Sequence, residues 1–223
     1  MEDESKEILP VSTRKETILD TVASVSSIAP WVGGPVSSVL SGMSISRKME
    51  RVNEVLLNMA EGIKGLESEI PKNYVKTEGF QELLEETLQK SAKEHNDEKR
   101  KAYSAFLIND IKNPTNDTYD EKLRFLRTLE EMQIDHIYIL RAMMLQPDPN
   151  PANIVGSVNS TLKKRLPSIP PDRIKDLAEQ LTDMKVANLA NLGGTMTGRG
   201  AEELQSRITP YGHRFIRYIL SDE

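Results

Sequence analysis

The sequence predicts a mainly α-helical protein, in which a helical bundle follows an uncharged helical hairpin and precedes a C-terminal unit with a short β-hairpin. Three observations support this prediction. Apolar residues recur at intervals of three and four over most of the chain, the stretch 21–46 has no charged residue, and several glycines cluster at 193–200. The 223 residues, of which 38% are hydrophobic, suffice for one ordinary domain or two small ones.

The first region, residues 1–46, consists of an N-terminal tail and the uncharged stretch. Serines, prolines and glycines interrupt 21–46, so it lacks the roughly 20 consecutive apolar residues of a spanning helix. It is predicted to form two short helical segments joined by a turn at 30–35. Helical spacing is shown by Ile18, Val22, Val25 and Ile28 in the first segment and by Val36, Val39, Leu40 and Met43 in the second.

Residues 47–146 are predicted to form an antiparallel helical bundle. The first helix carries a strict three-four apolar pattern of Met49, Val52, Leu56, Met59, Ile63 and Leu66, which is typical of bundle core or of a coiled coil between chains. Thr77 suits the N-cap of the next helix, and a third helix covers 98–112 and stops before Pro114. A long fourth helix is predicted over 119–145.

The prolines of the PDPNP stretch at 147–151 mark the start of the third region, 147–223. Helices are predicted over 152–165 and 171–185. Two antiparallel strands, near 187–192 and 204–208, are predicted on either side of the glycine-rich loop. A last helix, 213–220, is predicted to be capped by the Thr209-Pro210-Tyr211-Gly212 step.

This order of three helices, a hairpin and a final helix over 132–221 resembles a winged helix-turn-helix domain, in which a Thr-Pro-hydrophobic-Gly step often leaves the wing. The resemblance implies recognition of either DNA or protein by the region 147–223. The residues predicted for such a patch are Lys163, Lys164, Arg165, Arg199, Arg214 and Arg217. Acidic residues in the helix 171–185 weigh against DNA, because affinity for a duplex depends largely on Lys and Arg contacts to phosphate.

The layout of the whole chain, with its uncharged N-terminal stretch and winged-helix-like end, resembles bacterial proteins of the Abi-alpha abortive-infection type. The residues that carry this resemblance are Glu78-Gly79-Phe80, Glu98-Lys99-Arg100 and Asp135-His136-Ile137. It implies a role in defence against phage, with a phage protein as trigger, and it supplies no catalytic residue.

The uncharged hairpin supports two interpretations. In the first it is membrane-active, with contact or pore-lining residues Val25, Ile28, Trp31, Gly33, Gly34, Val36, Val39, Leu40 and Met43, and with Trp31 as an interfacial anchor at the tip. Short, serine-rich arms would leave polar groups unsatisfied in lipid, so this interpretation requires several copies around a water-filled pore. In the second, the hairpin packs into the bundle and Gly33-Gly34 is only a turn.

The sequence predicts no active site. Cysteine is absent, the three histidines lack ligand spacing, and the glycine-rich loop is not followed by the Lys-Ser/Thr of a phosphate loop. We therefore expect no enzyme activity, no metal and no cofactor. The acidic start, without a secretory signal pattern, indicates a cytoplasmic protein at rest.

Two functions follow as hypotheses. The leading one is an antiphage effector that senses a phage component, forms a homo-oligomer and permeabilises the inner membrane, where the activated protein would contact lipid. The alternative is a winged-helix transcription regulator that binds DNA.

Overall fold

Helices make up most of the protein, which confirms the predicted fold class. The computed structural model describes residues 20, 23, 25, 29–41, 47–66, 68–114, 117–148 and 155–220. This part of the chain contains ten α-helices and one two-stranded antiparallel sheet. Contacts divide the chain into two units, Met1–Leu126 and Arg127–Glu223. The region boundaries predicted at 46 and 146 were placed where the amino-acid composition changes, whereas the division at 126 follows from contacts between residues.

The first unit is a helical bundle. Its helices are α1 (Gly33–Ser41), α2 (Arg47–Ile63), α3 (Glu78–Lys93) and α4 (Asp97–Lys112), and α5 (Tyr119–Glu131) begins in it. A 3₁₀ turn, Pro30–Val32, leads directly into α1. α2 packs against α3 and α4, and α1 packs against α3.

The sequence of α2 explains its central position. Val52, Leu56, Met59 and Ile63 follow the three-four spacing and are fully buried. The pattern is therefore bundle core within this chain. Polar caps fix where the neighbouring helices begin: Thr77 Oγ1 accepts from the Phe80 N–H at 3.3 Å, and the Asn96 side chain likewise caps α4.

The second unit contains the end of α5 and a set of short elements. These are α6 (Ile134–Met144), β1 (Val155–Gly156), α7 (Val158–Arg165), α8 (Pro171–Asp183), β2 (Met196–Thr197), α9 (Gly198–Glu202), a 3₁₀ turn (Leu204–Arg207) and α10 (Pro210–Ile219). β1 and β2 pair antiparallel, with Val155 opposite Thr197. α6 and α7 pack against α8. The buried core of the second unit includes Leu177, Leu181 and Phe215.

The single helix predicted over 119–145 is wrong, because the chain breaks at 132–133 into α5 and α6. Gln133 is the N-cap residue of α6, and its backbone N–H donates to Nδ1 of His136 at 2.9 Å. The histidine side chain thus satisfies a backbone donor that a continuous helix would have paired with a carbonyl four residues earlier.

The predicted strand positions are also wrong. The segments 187–192 and 204–208 meet in one isolated bridge between Ala187 and Ile208, and 204–207 is a 3₁₀ turn. The pair of strands that the structure contains joins 155–156 to 196–197 instead. The helix predicted from residue 152 is observed only from Val158, after β1, while residues 149–154 lie outside the described part of the chain.

Candidate functional site: the N-terminal segment packed on α3

The candidate site is the N-terminal segment, which we define as residues 29–41. Its backbone turns at Ala29, passes through the 3₁₀ turn and continues as α1. Gly33 already has right-handed helical angles, with φ −57° and ψ −41°. The prediction that Gly33-Gly34 forms a turn between two arms is therefore wrong, since both glycines belong to α1.

One side of the N-terminal segment is apolar and buried. Val32 and Val36 are each 1% exposed and Val39 is 5% exposed. Val25 and Ala29 extend the same helical spacing and are buried too. The segment covers α3 with this side, so these predicted contact residues lie in the core of the first unit.

The other side of the N-terminal segment is polar without being charged. Gly34, Ser37, Ser38 and Ser41 are exposed, while Gly33 and Leu40 are half-buried. The predicted amphipathic character is therefore present in α1. Of the predicted contact residues, Ile28 and Met43 lie outside the described part of the chain.

Trp31 is held against α3 by its ring and by its backbone. Its indole contacts the Phe80 ring edge-on, with centroids 5.2 Å apart and an interplanar angle of 77°. Its carbonyl oxygen accepts a hydrogen bond from the Gln81 side-chain amide at 3.2 Å. Trp31 is half-buried, so the anchor predicted for a free tip has a packing role here.

Gln81 and Glu85 are the polar partners of the N-terminal segment on α3. The Gln81 amide nitrogen donates to Val75 O at 2.6 Å as well as to Trp31 O, so it joins the segment to the turn before α3. The Ser38 hydroxyl donates to the Glu85 carboxylate at 3.3 Å in an exposed position. The attachment therefore combines apolar burial with a small number of side-chain hydrogen bonds.

The predicted basic patch is partly occupied by contacts inside the second unit. Arg165 is 8% exposed and pairs with Glu202 at 2.6 Å, and it also donates to the backbone oxygen of Ala142 at 2.7 Å. Lys164 pairs with Asp148 at 3.2 Å. Arg165 is thus a structural ion-pair residue that closes the C-terminal end of α6.

The remaining cations of that patch are spread over three elements. Lys163 is exposed on α7, Arg199 is exposed on α9 and lies 3.6 Å from Glu203, and α10 carries Arg214, half-buried, and Arg217, exposed. In a winged-helix domain, α8 would be the helix that reads DNA. Its exposed charged residues are Asp172, Lys175, Asp176, Glu179 and Asp183. Four acids and one base on that face are unfavourable for phosphate contacts.

The histidines are separately engaged or exposed. Arg51 lies 2.9 Å from Nδ1 of His95, and His213 is exposed on α10. His136 is fully buried, and burial lowers the pKa of its imidazole below the ordinary value. Among the described residues, no group of three or more His, Asp or Glu side chains is arranged to hold a metal ion.

No family model, curated protein or solved structure matches this chain.

Within the described part of the chain, no helix is both long enough and apolar enough to cross a membrane.

Sequence reasoning identified α1 as amphipathic but missed the residues that hold it. It predicted neither the edge-on contact of Phe80 with Trp31 nor the hydrogen bond from Gln81 to a backbone carbonyl fifty positions earlier. A further missed group is the buried network of Tyr74, Asp110 and Lys122. The sequence gives one sign of this network, which is the charged Asp110 directly before the core residue Ile111.

Proposed function

We propose that this protein is an antiphage effector of the abortive-infection type, which senses a phage component, self-associates and permeabilises the inner membrane. In the resting protein the N-terminal segment covers its apolar side against α3. On activation it leaves α3 and exposes Val32, Val36 and Val39 to lipid. The observation that supports this proposal is the combination, in one uncharged segment, of a buried apolar side and an exposed serine side.

The dimensions of α1 determine how the segment would act. A helix of nine residues is about 14 Å long, whereas the hydrocarbon core of a bilayer is about 30 Å thick. One copy of α1 therefore does not span the bilayer. Several copies side by side would place their apolar sides toward lipid and Ser37, Ser38 and Ser41 toward water, so self-association is part of the proposal.

The energetic requirement for release is a differential affinity. A ligand shifts a two-state equilibrium only by its preference for one of the states. The trigger must therefore bind the state with the segment released more tightly than the state with the segment packed. We propose the second unit as the part of the chain that binds the trigger.

The proposal is tested by locking the segment to α3. The chain has no cysteine, so Ser38→Cys with Glu85→Cys introduces two unique thiols at positions whose side chains already touch. A short bismaleimide then links them. The full chain is added to dye-filled vesicles of phosphatidylethanolamine and phosphatidylglycerol, together with lysate of phage-infected or uninfected cells.

We expect the wild-type protein to release dye with infected lysate alone, and the linked protein to release none. The Ser38→Cys single variant treated with the same reagent is the matched control and should behave like the wild type. Equal dye release by linked and unlinked protein would show that the N-terminal segment is not the effector.

A further inference from the structure

A buried polar network lies in the first unit, next to the residues that hold the N-terminal segment. Lys122 Nζ is 2.7 Å from Asp110 Oδ1, and the Tyr74 hydroxyl donates to Asp110 Oδ2 at 2.5 Å. Lys122 also donates to the Tyr74 oxygen at 2.6 Å. The Asp110 side chain is 0% exposed and that of Lys122 is 5% exposed, so the two buried charges compensate each other, and Tyr74 donates a hydrogen bond to the carboxylate.

Tyr74 is the member of this network that belongs to a turn. It lies between α2 and α3, where its N–H donates to Pro71 O and its carbonyl accepts from Thr77. Asp110 belongs to α4 and Lys122 to α5. The hydroxyl of Tyr74 therefore ties the turn 71–77 to two helices.

The same turn is in contact with the residues that hold the N-terminal segment. The Tyr74 ring packs edge-on against Phe80 at 5.3 Å, and Phe80 is the ring that contacts Trp31. Gln81 donates both to Val75 O in the turn and to Trp31 O in the segment. Displacement of the turn would therefore alter the aromatic contact of Trp31 and its backbone hydrogen bond together.

We propose that the Tyr74–Asp110–Lys122 network restrains the N-terminal segment, and that its disruption releases residues 29–41 from α3. This inference rests on the proposed function in one respect: it takes the release of the N-terminal segment from α3 as the activating step. Burial raises the pKa of Asp110 above its ordinary value, against the opposing effects of Lys122 and Tyr74. Loss of either partner would remove an effect that opposes burial, and would therefore weaken the whole group.

The network also has a position suited to regulation. Lys122 lies on α5, the helix along which the chain passes from the first unit into the second at Leu126. A rearrangement of α5 acts on Lys122 directly and reaches Trp31 through Tyr74 and Phe80. Each step in this sequence is a contact or a hydrogen bond within the first unit.

Hydrogen exchange of the full-length protein tests the inference, with Tyr74→Phe as the variant. This change removes the hydroxyl and keeps the ring that packs on Phe80. We expect exchange of the α1 amides, 36–41, to accelerate about ten- to a hundredfold, as the loss of a hydrogen bond to a charged group predicts. Amides in the interior of α2 serve as the internal reference for global stability.

Tyr103→Phe is the matched control, because it makes the same chemical change on the buried side chain of α4 outside the network. It should leave the ratio of α1 to α2 exchange unchanged. Asp110→Asn is a second, more severe variant and should accelerate α1 further. An α1-to-α2 ratio that Tyr74→Phe does not change would overturn the inference.

Vesicle leakage separates this inference from the proposed function. If Tyr74→Phe accelerates α1 exchange but neither this variant nor the wild type releases dye with infected lysate, the restraint is correct and the membrane function is wrong. If dye release requires the segment but Tyr74→Phe changes neither exchange nor leakage, the membrane function stands and the restraint is wrong.

Discussion

The guanidinium of Arg165 and the carboxylate of Glu202 form a buried ion pair at 2.6 Å, with 8% and 7% of their side chains exposed. Arg165 also donates to the carbonyl oxygens of Ala142 and Leu145, which lie at the C-terminal end of α6. One side chain thereby neutralises a buried acid and supplies donors for the open end of a helix. This arrangement assigns Arg165 to the stability of the second unit.

We predict that Arg165→Ala lowers the free energy of unfolding by up to about 3–5 kcal/mol, because it leaves the buried Glu202 carboxylate with only the more distant cation of Lys164, at 3.8 Å. Urea unfolding followed by circular dichroism measures this loss. Lys163→Ala, two positions earlier and exposed, should change the same quantity by less than about 0.5 kcal/mol. If both variants unfold like the wild type but bind duplex DNA less well, the patch serves DNA binding instead.

The Thr209-Pro210-Tyr211-Gly212 step gives a second prediction. Thr209 Oγ1 accepts from the Gly212 N–H at 2.9 Å and donates to Lys185 O, so α10 begins against the end of α8. A Cβ on Gly212 would overlap the carbonyl oxygen of Val186. This oxygen belongs to the backbone, so it cannot move away by a change of rotamer.

We therefore predict that Gly212→Ala lowers the free energy of unfolding by about 1–3 kcal/mol through overpacking, or by more if the loop shifts. Gly193→Ala is the matched control, because no atom lies within 4 Å of its added Cβ. Thermal melting of the two variants beside the wild type measures the difference. Equal melting temperatures would show that α10 moves away from Val186 at little cost.

These two sites illustrate what the sequence could and could not predict in the second unit. The cap at Thr209 was predicted, because a Thr before a Pro at the first helical position is a local signal. The approach of Gly212 to Val186 was not, since it joins residues far apart in the chain. Strands were predicted near 187–192 because buried loop residues two positions apart, such as Ala187 and Leu189, imitate the alternation of a strand.

At the candidate site, too, features set by neighbouring residues were predicted, whereas contacts between residues far apart in the chain were not. The apolar side of α1 was predictable from the spacing of Val36 and Val39. Nothing in the sequence indicates that Gln81 bonds the carbonyl of Trp31, or that Asp110 finds Lys122 and Tyr74. These contacts depend on how helices pack, and a side chain's partner across a bundle leaves no periodic pattern.

A third prediction concerns His136 and pH. Its Nδ1 accepts the Gln133 N–H, so protonation there requires the N-cap contact of α6 to break, and burial already lowers its pKa below about 6.5. A histidine with a lowered folded pKa contributes stability that is fully present above the unfolded pKa. That contribution is lost as the pH falls below about 6.5 toward the folded pKa, because the unfolded chain binds the proton more readily.

His136→Asn provides the comparison, because an amide oxygen can accept from Gln133 N–H and does not titrate in this range. We expect the difference in unfolding free energy between the wild type and this variant to shift against the wild type when the pH is lowered from 8 to 5. Urea titrations at both pH values measure it. A difference that stays constant with pH would mean that His136 titrates alike in the folded and unfolded chain.

The last prediction uses two positions on opposite sides of α1. Val39 is 5% exposed and faces α3, whereas Ser37 is exposed. A carboxylate at position 39 would be buried without a cation, which costs several kcal/mol, so Val39→Asp should detach the N-terminal segment. Ser37→Asp introduces the same charge on the solvent side and should leave the segment packed.

Trp31 reports the outcome, because it is the only tryptophan of the chain. Val39→Asp should shift its emission to longer wavelength and increase its quenching by acrylamide, while Ser37→Asp should change neither. The membrane proposal adds a second expectation. A mid-bilayer carboxylate costs about 2.5–3.5 kcal/mol on insertion scales, so Val39→Asp should detach the segment and still release roughly a hundredfold less dye per copy. Strong leakage from Val39→Asp would mean that detachment alone suffices and that the side of α1 carrying Val39 does not enter lipid.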